Sequence, residues 1–137
     1  LVDDESTPNA AGASSVHDGG YVVLIVEDDK DAAMLTRMLL EAAGHEVSVA
    51  HSGPAALEAV GSKAFDTVFL DLGLPDMAGG EVLQALKQRV RTARTRFVCL
   101  SGRSESDIDW RGLGFDHYLE KPAAIKKIKA LLGPKTQ

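Results

Sequence analysis

The sequence predicts an α/β domain built on a parallel sheet with helices on both faces. Three observations carry this. Short apolar runs alternate with stretches of helical period five times along the chain, the order that gives βα units and a parallel sheet. The first and third runs are continuous in apolar character, as strands buried on both faces require. Those same two runs end in carboxylates, Glu27-Asp28-Asp29 after the first and Asp71 after the third, and a loop rich in Gly and Pro follows Asp71 at once.

At 137 residues the chain suits one domain with a substantial core. Hydrophobic residues make up 45% and aromatics only 5%, so that core is aliphatic. A net charge of -5 and a pI near 5.3 argue against a nucleic-acid surface, which needs clustered excess Lys and Arg, and fit ordinary solubility. The single cysteine, Cys99, lies in Phe97-Val98-Cys99-Leu100 and cannot form an internal disulfide. It reads as a small buried hydrophobe in a reducing, cytoplasmic compartment. No stretch approaches a membrane span and no signal-peptide pattern is seen, so no membrane contact is expected. Residues 1–20 are small, polar and aperiodic and read as a flexible linker or arm, in which His17 has no evident role. The first residue is Leu1 and not Met, which suggests a piece of a longer polypeptide.

The elements follow in order. A first strand is expected over 21–26. From 30 to 43 the pattern is helical, with Ala33, Met34, Arg37, Met38 and Glu41 at spacings of three and four and Gly44 as the stop. Residues 45–50 alternate, with Val47 and Val49 facing one way, and form a second strand. Ser52 is a candidate N-cap, with Pro54 in the first turn of a helix that reaches about Ser62. The third strand covers 65–70, and the loop 73–79 leads to a helix carrying Val82, Leu83, Leu86 and Val90. The basic end of that helix, at Lys87, Arg89, Arg91 and Arg94, suits a helix C-terminus. A fourth strand over 96–100, a short helix over 104–112 and a fifth strand over 115–119 come next. After Lys121-Pro122, residues 123–132 form an amphipathic helix with Ile125, Ile128, Leu131 and Leu132 inside. The domain proper is thus 21–133, and 134–137 are a tail.

Right-handed crossovers leave few topologies for five such units. The strand order 2-1-3-4-5 is one of the two common solutions, and its switch point lies between the first and third strands. Open α/β sheets bind ligands there, and these are the strands that end in Glu27-Asp28 and in Asp71. Three carboxylates in a partly dry crevice repel one another, so a hard divalent cation is the natural counterion, with Mg2+ suited to one or two carboxylates plus a phosphate. Lys121, held by the stiff Pro122, brings a further positive charge, and Ser101 at the fourth strand end brings a hydroxyl. A carboxylate nucleophile, a metal, a cation and a hydroxyl suffice for phosphoryl transfer, which needs positioning and charge stabilisation above all. Asp29 reads as a carboxylate at a helix N-terminus. His45 and His117 read as strand-edge histidines, because no second His or Cys accompanies them.

These residues carry a resemblance. Leu24-Ile25-Val26-Glu27-Asp28-Asp29, Asp71-Leu72-Gly73-Leu74-Pro75-Asp76-Met77-Ala78-Gly79, Leu100-Ser101-Gly102 and Gly114-Phe115-Asp116-His117-Tyr118-Leu119-Glu120-Lys121-Pro122 resemble, in this order and spacing, the receiver domain of two-component response regulators. The likeness implies a flavodoxin-like (βα)5 three-layer sandwich. It implies that Asp71 is the phosphoacceptor for a phosphoryl group from a histidine kinase or a histidine phosphotransfer domain. Asp28 would bind Mg2+ directly and Glu27 through a water, with Asp71 and the backbone carbonyl of Gly73 completing the protein ligands. Lys121 would pair with the phosphoryl oxygens, Ser101 would hydrogen-bond them, and Tyr118 would be the aromatic switch that follows Ser101 inward. Such a domain assists its own phosphorylation and dephosphorylation without being a turnover enzyme alone.

Two departures from the family pattern stand out. The segment from Ser101 to Lys121 is short, so its helix is expected to be short or distorted, on the face that signals in the family. Gly73 and Arg103 each sit two residues beyond a key position, Asp71 and Ser101, where family members line the path of the hydrolytic water. Arg103 is therefore expected to alter the lifetime of the acyl phosphate. Residues 133–137 cannot hold a DNA-binding domain. The polar arm before the first strand suggests a receiver appended to the C-terminus of something larger, and the phrases Gly73-Leu74-Pro75-Asp76-Met77 and Gly114-Phe115-Asp116-His117-Tyr118-Leu119 are similar to receivers at the C-terminus of hybrid histidine kinases, with a free single-domain regulator as the alternative. A monomer or weak dimer is expected. An aspartyl-phosphate phosphatase of the haloacid-dehalogenase type would want a second aspartate at the place of Gly73, and a degenerate receiver would have lost carboxylates that are all kept here.

Overall fold

A computed structural model describes residues 20–73 and 79–121. Five strands, β1 (Val22–Val26), β2 (Glu46–Ala50), β3 (Thr67–Asp71), β4 (Arg96–Ser101) and β5 (His117–Glu120), form one sheet of order β2-β1-β3-β4-β5. Every pairing is parallel, and the register sets Val26 beside both Ala50 and Leu70, Asp71 beside Leu100, and Ser101 beside Glu120. The carboxyl ends of all the strands therefore form one crest. The helices are α1 (Lys30–Ala42), α2 (Gly53–Ser62), α3 (Gly79–Arg89) and the one-turn α4 (Trp110–Leu113).

Alternate strand residues point to opposite faces and build two cores. Leu24, Val26, Val68, Leu70 and Cys99 pack with Val60, Val82, Leu83 and Leu86 under α2 and α3. Val23, Ile25, Val47, Phe69, Val98, Leu100 and Leu119 pack on the other face with Leu40 of α1. This is the three-layer flavodoxin-like arrangement with strand order 2-1-3-4-5 that the sequence predicts. Burial on both faces explains why β1 and β3 read as continuous apolar runs.

Local signals act where expected. Asp29 caps α1, its carboxylate accepting from the Asp31 and Ala32 amides at 3.0 and 3.2 Å. Ser52 caps α2 by accepting from the Ala55 amide at 3.2 Å. Gly44 takes the positive φ of 98° that ends α1 without a Cβ clash. The helix read over 30–43 is present as α1, and its buried positions are Ala33 and Leu40, whereas Met34 and Met38 are 57% and 58% exposed.

The helix expected over 104–112 is broken. A 3-10 turn (Glu105–Asp107) stops at Ile108, whose φ of -132° is extended, and Asp109 starts α4 afresh by accepting from the Gly112 amide at 3.1 Å. Gly114, at φ 110°, then ends it. β5 starts at His117, later than expected, because the Asp116 side chain accepts from the Phe97 amide at 2.8 Å in place of a ladder bond. β3 likewise starts at Thr67 because the Asp66 carboxylate accepts from the Val22 amide at 2.8 Å, and it runs on through Asp71 itself. The arm before Gly20, most of the loop 73–79, Pro122 and the helix expected over 123–132 lie outside the described residues. Among the described residues no helix is long and apolar enough to cross a membrane.

Candidate functional site

The ends of β1, β3 and β5 deliver the charged groups. β3 is buried along its whole length and carries Asp71 as its last residue, buried with it. β1 ends one residue before Glu27, which is also buried, and Asp28 follows at the surface. β5 ends one residue before Lys121, whose amide donates to the Ser101 carbonyl at 2.7 Å and so continues the ladder. The Lys121 ammonium bridges the two buried carboxylates, at 2.7 Å from Glu27 Oε1 and 2.9 Å from Asp71 Oδ2. Glu27, Asp28, Asp71, Gly73, Ser101 and Lys121 line one crevice, as the switch point of the sheet requires.

The electrostatics separate the two buried carboxyls. Burial, with Asp71 as a close neighbour, pushes Glu27 up to about 7 despite the Lys121 contact. Burial works against the charge on Asp71 as well. There it is outweighed by hydrogen bonds from the Glu27 carboxyl, the Gly73 amide and Lys121, which hold Asp71 below the usual carboxylate range. Burial also disfavours the Lys121 ammonium, but its bonds to Glu27 and Asp71 win and raise it. Asp71 is thus the carboxylate kept ionised, and Glu27 the one ready to hold a proton when no cation is near.

The donor set suits a hard cation. Glu27, Asp28 and Asp71 each offer a carboxylate oxygen, and these atoms lie within 4.8 Å of one another. Gly73 sits against the same group: its amide donates to Asp71 Oδ1 at 2.9 Å, and a Cβ there would stand 3.4 Å from that oxygen. All-oxygen ligands with room for water are what Mg2+ prefers.

Ser101 ends β4 and is buried, its Oγ accepting from the Arg103 amide at 3.1 Å. The Tyr118 hydroxyl donates to the Arg103 carbonyl, and its ring stands 6.2 Å from that of Trp110. The backbone of Arg103 thereby links the serine and the tyrosine. Trp110 is buried in the core under α4. His117 opens β5, and His45 accepts from the Tyr21 amide at 3.0 Å, so both sit at the opposite end of the sheet from the crest. One residue beside the site carries no motif: the His51 ring meets the Glu27 carbonyl through Nδ1 at 3.0 Å. Register was the signal for it, because Val26 pairs with Ala50 and the next residues are then neighbours.

The parallel α/β sheet thus carries a buried aspartate at its switch point, with a bridging lysine and two flanking acids beside it. Residues 23–133 match the response regulator receiver domain, and the chain belongs to that family. The cell cycle response regulator CtrA of Brucella ovis is 35% identical over 102 residues, which are 73% of this chain and 43% of that protein. A CheY-like response regulator receiver domain from Methylobacillus flagellatus superposes with a TM-score of 0.75 at 35% identity, covering 82% of this chain and 96% of that one. A response regulator protein from Burkholderia pseudomallei, described with a phosphorylated aspartic acid, a calcium ion and citrate, gives a TM-score of 0.72 at 27% identity, covering 81% of this chain and 65% of that one. The chain spans less than half the length of CtrA.

Proposed function

We propose that this chain is the phosphoacceptor module of a two-component phosphorelay, with Asp71 taking a phosphoryl group from a phosphohistidine on a histidine kinase or a histidine phosphotransfer domain. The observation that supports this best is the placement of one buried carboxylate, Asp71, at the crest of the central strand, 2.9 Å from Lys121 and beside Glu27 and Asp28. An Asp71 oxygen attacks phosphorus while the P–N bond of the phosphohistidine breaks. The imidazole leaves with the bonding electrons, and an acyl phosphate forms on Asp71.

Lys121 neutralises charge on a phosphoryl oxygen, moving off the Glu27–Asp71 pair that it bridges before transfer. The Ser101 hydroxyl gives up its contact with the Arg103 amide to donate to a second phosphoryl oxygen. Tyr118, tied to the Arg103 carbonyl, registers that movement on the face built by α4 and β5. Glu27, Asp28, Asp71 and the Gly73 carbonyl would hold Mg2+, which, when bound, supplies positive charge to the transferring oxygens.

The receiver unit is 21–133, with 1–20 as a linker or arm and 134–137 as a tail. In this reading the domain works in the cytoplasm, touches neither nucleic acid nor membrane, and is a monomer or a weak dimer. Its setting is a hybrid histidine kinase, a reading supported by the Gly73-Leu74-Pro75-Asp76-Met77 and Gly114-Phe115-Asp116-His117-Tyr118-Leu119 phrases. Intact mass after incubation with acetyl phosphate and Mg2+ tests the chemistry. The expected result is one phosphoryl adduct on wild type, absent without metal and absent in Asp71→Asn. An adduct on both proteins would identify a different nucleophile.

A further inference from the structure

We propose that His51 is a positioning residue for the acidic pair: by holding the backbone carbonyl of Glu27, it sets the direction in which Asp28 presents its carboxylate. The inference rests on the reading of Glu27, Asp28 and Asp71 as a magnesium site.

Glu27 is held through both its backbone and its carboxylate. Its amide donates to the Ala50 carbonyl at 3.0 Å, and its own carbonyl meets His51 Nδ1 at 3.0 Å. Its carboxylate pairs with Lys121 at 2.7 Å and accepts from the Asp29 amide at 3.3 Å. Asp28 differs. It is exposed, and among the described residues no hydrogen bond or ion pair holds its carboxylate. What directs Asp28 is therefore its backbone.

The Glu27 carbonyl and the Asp28 amide belong to one planar peptide unit. Fixing the carbonyl oxygen fixes the plane from which the Asp28 Cα and Cβ depart. His51 does so from the end of β2, a neighbour already locked in register with β1. A carbonyl oxygen can only accept, so His51 Nδ1 carries the proton of the neutral ring and Nε2 carries the lone pair. This tautomer is a signature that a surface histidine with no partner has no reason to show.

The role differs from ligation. The His51 ring is not among the groups whose donor atoms converge with those of Glu27, Asp28 and Asp71. Its contribution is to reduce the orientations that Asp28 must give up when a cation binds. Removing it should thus weaken cation binding while the Lys121 bridge on Glu27 and Asp71 stays in place.

Three measurements on the same protein test this. The 15N spectrum of the neutral His51 ring should show the proton on Nδ1. Calorimetric titration with Mg2+ should give about tenfold weaker binding for His51→Ala. His51→Asn, whose short amide can still donate to the Glu27 carbonyl, should recover most of that loss. Urea unfolding without metal, run on each variant, separates a weakened site from a weakened fold. A ring protonated on Nε2, or His51→Ala binding Mg2+ as wild type does, overturns the positioning role. Wild type that binds no Mg2+ while its ring spectrum shows Nδ1–H overturns the magnesium reading first, and the positioning role with it.

Discussion

The two sides of the crest are built by different means. On one side Glu27, Asp71 and Lys121 stand at strand ends, placed by ladder bonds and by cores on both faces of the sheet. On the other, residues 102–114 contain a bend, a 3-10 turn and a one-turn helix. That segment is anchored in the core by Trp110, with Ile108 packed beside it, and its remaining ties are single polar contacts: Asp109 to the Gly112 amide, Gln84 to the Leu113 carbonyl at 3.2 Å, Lys87 to the Gly114 carbonyl at 2.6 Å, and Tyr118 to the Arg103 carbonyl. Each such bond contributes about 0.5–1.5 kcal/mol net. The charged centre therefore rests on the sheet and its two cores, and the surface beside it on one buried anchor and a few exchangeable polar contacts. A domain that must hold its chemistry still while changing its outer face needs this asymmetry.

The contrast is broken most forcefully at Lys121. Lys121→Met leaves Glu27 and Asp71, both buried, facing each other without a cation. Removing one partner of a buried ion pair costs up to about 3 kcal/mol, and less here to the extent that Glu27 takes up a proton. The urea midpoint of the metal-free protein should fall accordingly, and Mg2+ should restore part of it. An unchanged midpoint would show that the lysine does not hold the pair together.

Gly114→Ala probes the other side with a smaller effect. Gly114 has φ 110°, and a Cβ there would come within 2.9 Å of Lys87 Nζ and 3.4 Å of Leu83 Cδ2. The backbone strain alone costs about 1–2 kcal/mol. If the two sides are independent, the variant loses stability while its Mg2+ affinity stays at the wild-type value. A parallel loss of affinity would show that the α4 segment supports the acids after all. Smaller still is Tyr118→Phe, which removes one donor to the Arg103 carbonyl, about 1 kcal/mol or less, and should leave phosphoryl uptake by Asp71 intact in the mass assay.

Legibility followed the same division. The strands, their order and the convergence of Glu27, Asp28, Asp71, Ser101 and Lys121 could be read because burial on two faces writes continuous apolar runs, and the residues just past those runs must share a crest. Asp29, Ser52 and Gly44 were readable because caps and stops are local. The segment 104–112 is short and distorted as its reduced length implies, but the point of the break was not legible, because Asp109 can serve equally as an interior residue or as a fresh N-cap. Only the extended Ile108 before it decides between the two. His51 escaped notice because a histidine after a strand carries no pattern of its own. Its meaning depends on which strand lies beside it. The exposure of Met34 and Met38 was hidden for a similar reason, since spacing marks a stripe but does not say which stripe faces the sheet.

The smallest effect belongs to the far end of the sheet and serves as a control on both sides of the crest. His45 Nδ1 accepts from the Tyr21 amide at 3.0 Å, so the neutral ring has its proton on Nε2. Burial lowers the His45 pKa below its ordinary value, because the charged ring is the costlier form there. The unfolded chain then binds a proton at a higher pH than the fold does. The stability that His45 contributes is fully present above about pH 6.5 and is lost progressively as the pH falls below that value, through the depressed folded-state pKa. Urea midpoints followed from pH 7.5 down to about 5 should therefore show, in the difference between wild type and His45→Gln, a stability that wild type alone loses as the pH falls; the raised Glu27 pKa acts in the opposite direction but is common to both proteins. Protonation at this end touches neither Asp71 nor α4. Mg2+ affinity and the Gly114→Ala penalty should accordingly be the same in the His45→Gln background, and a change in either would mean that the sheet transmits strain from one end to the other.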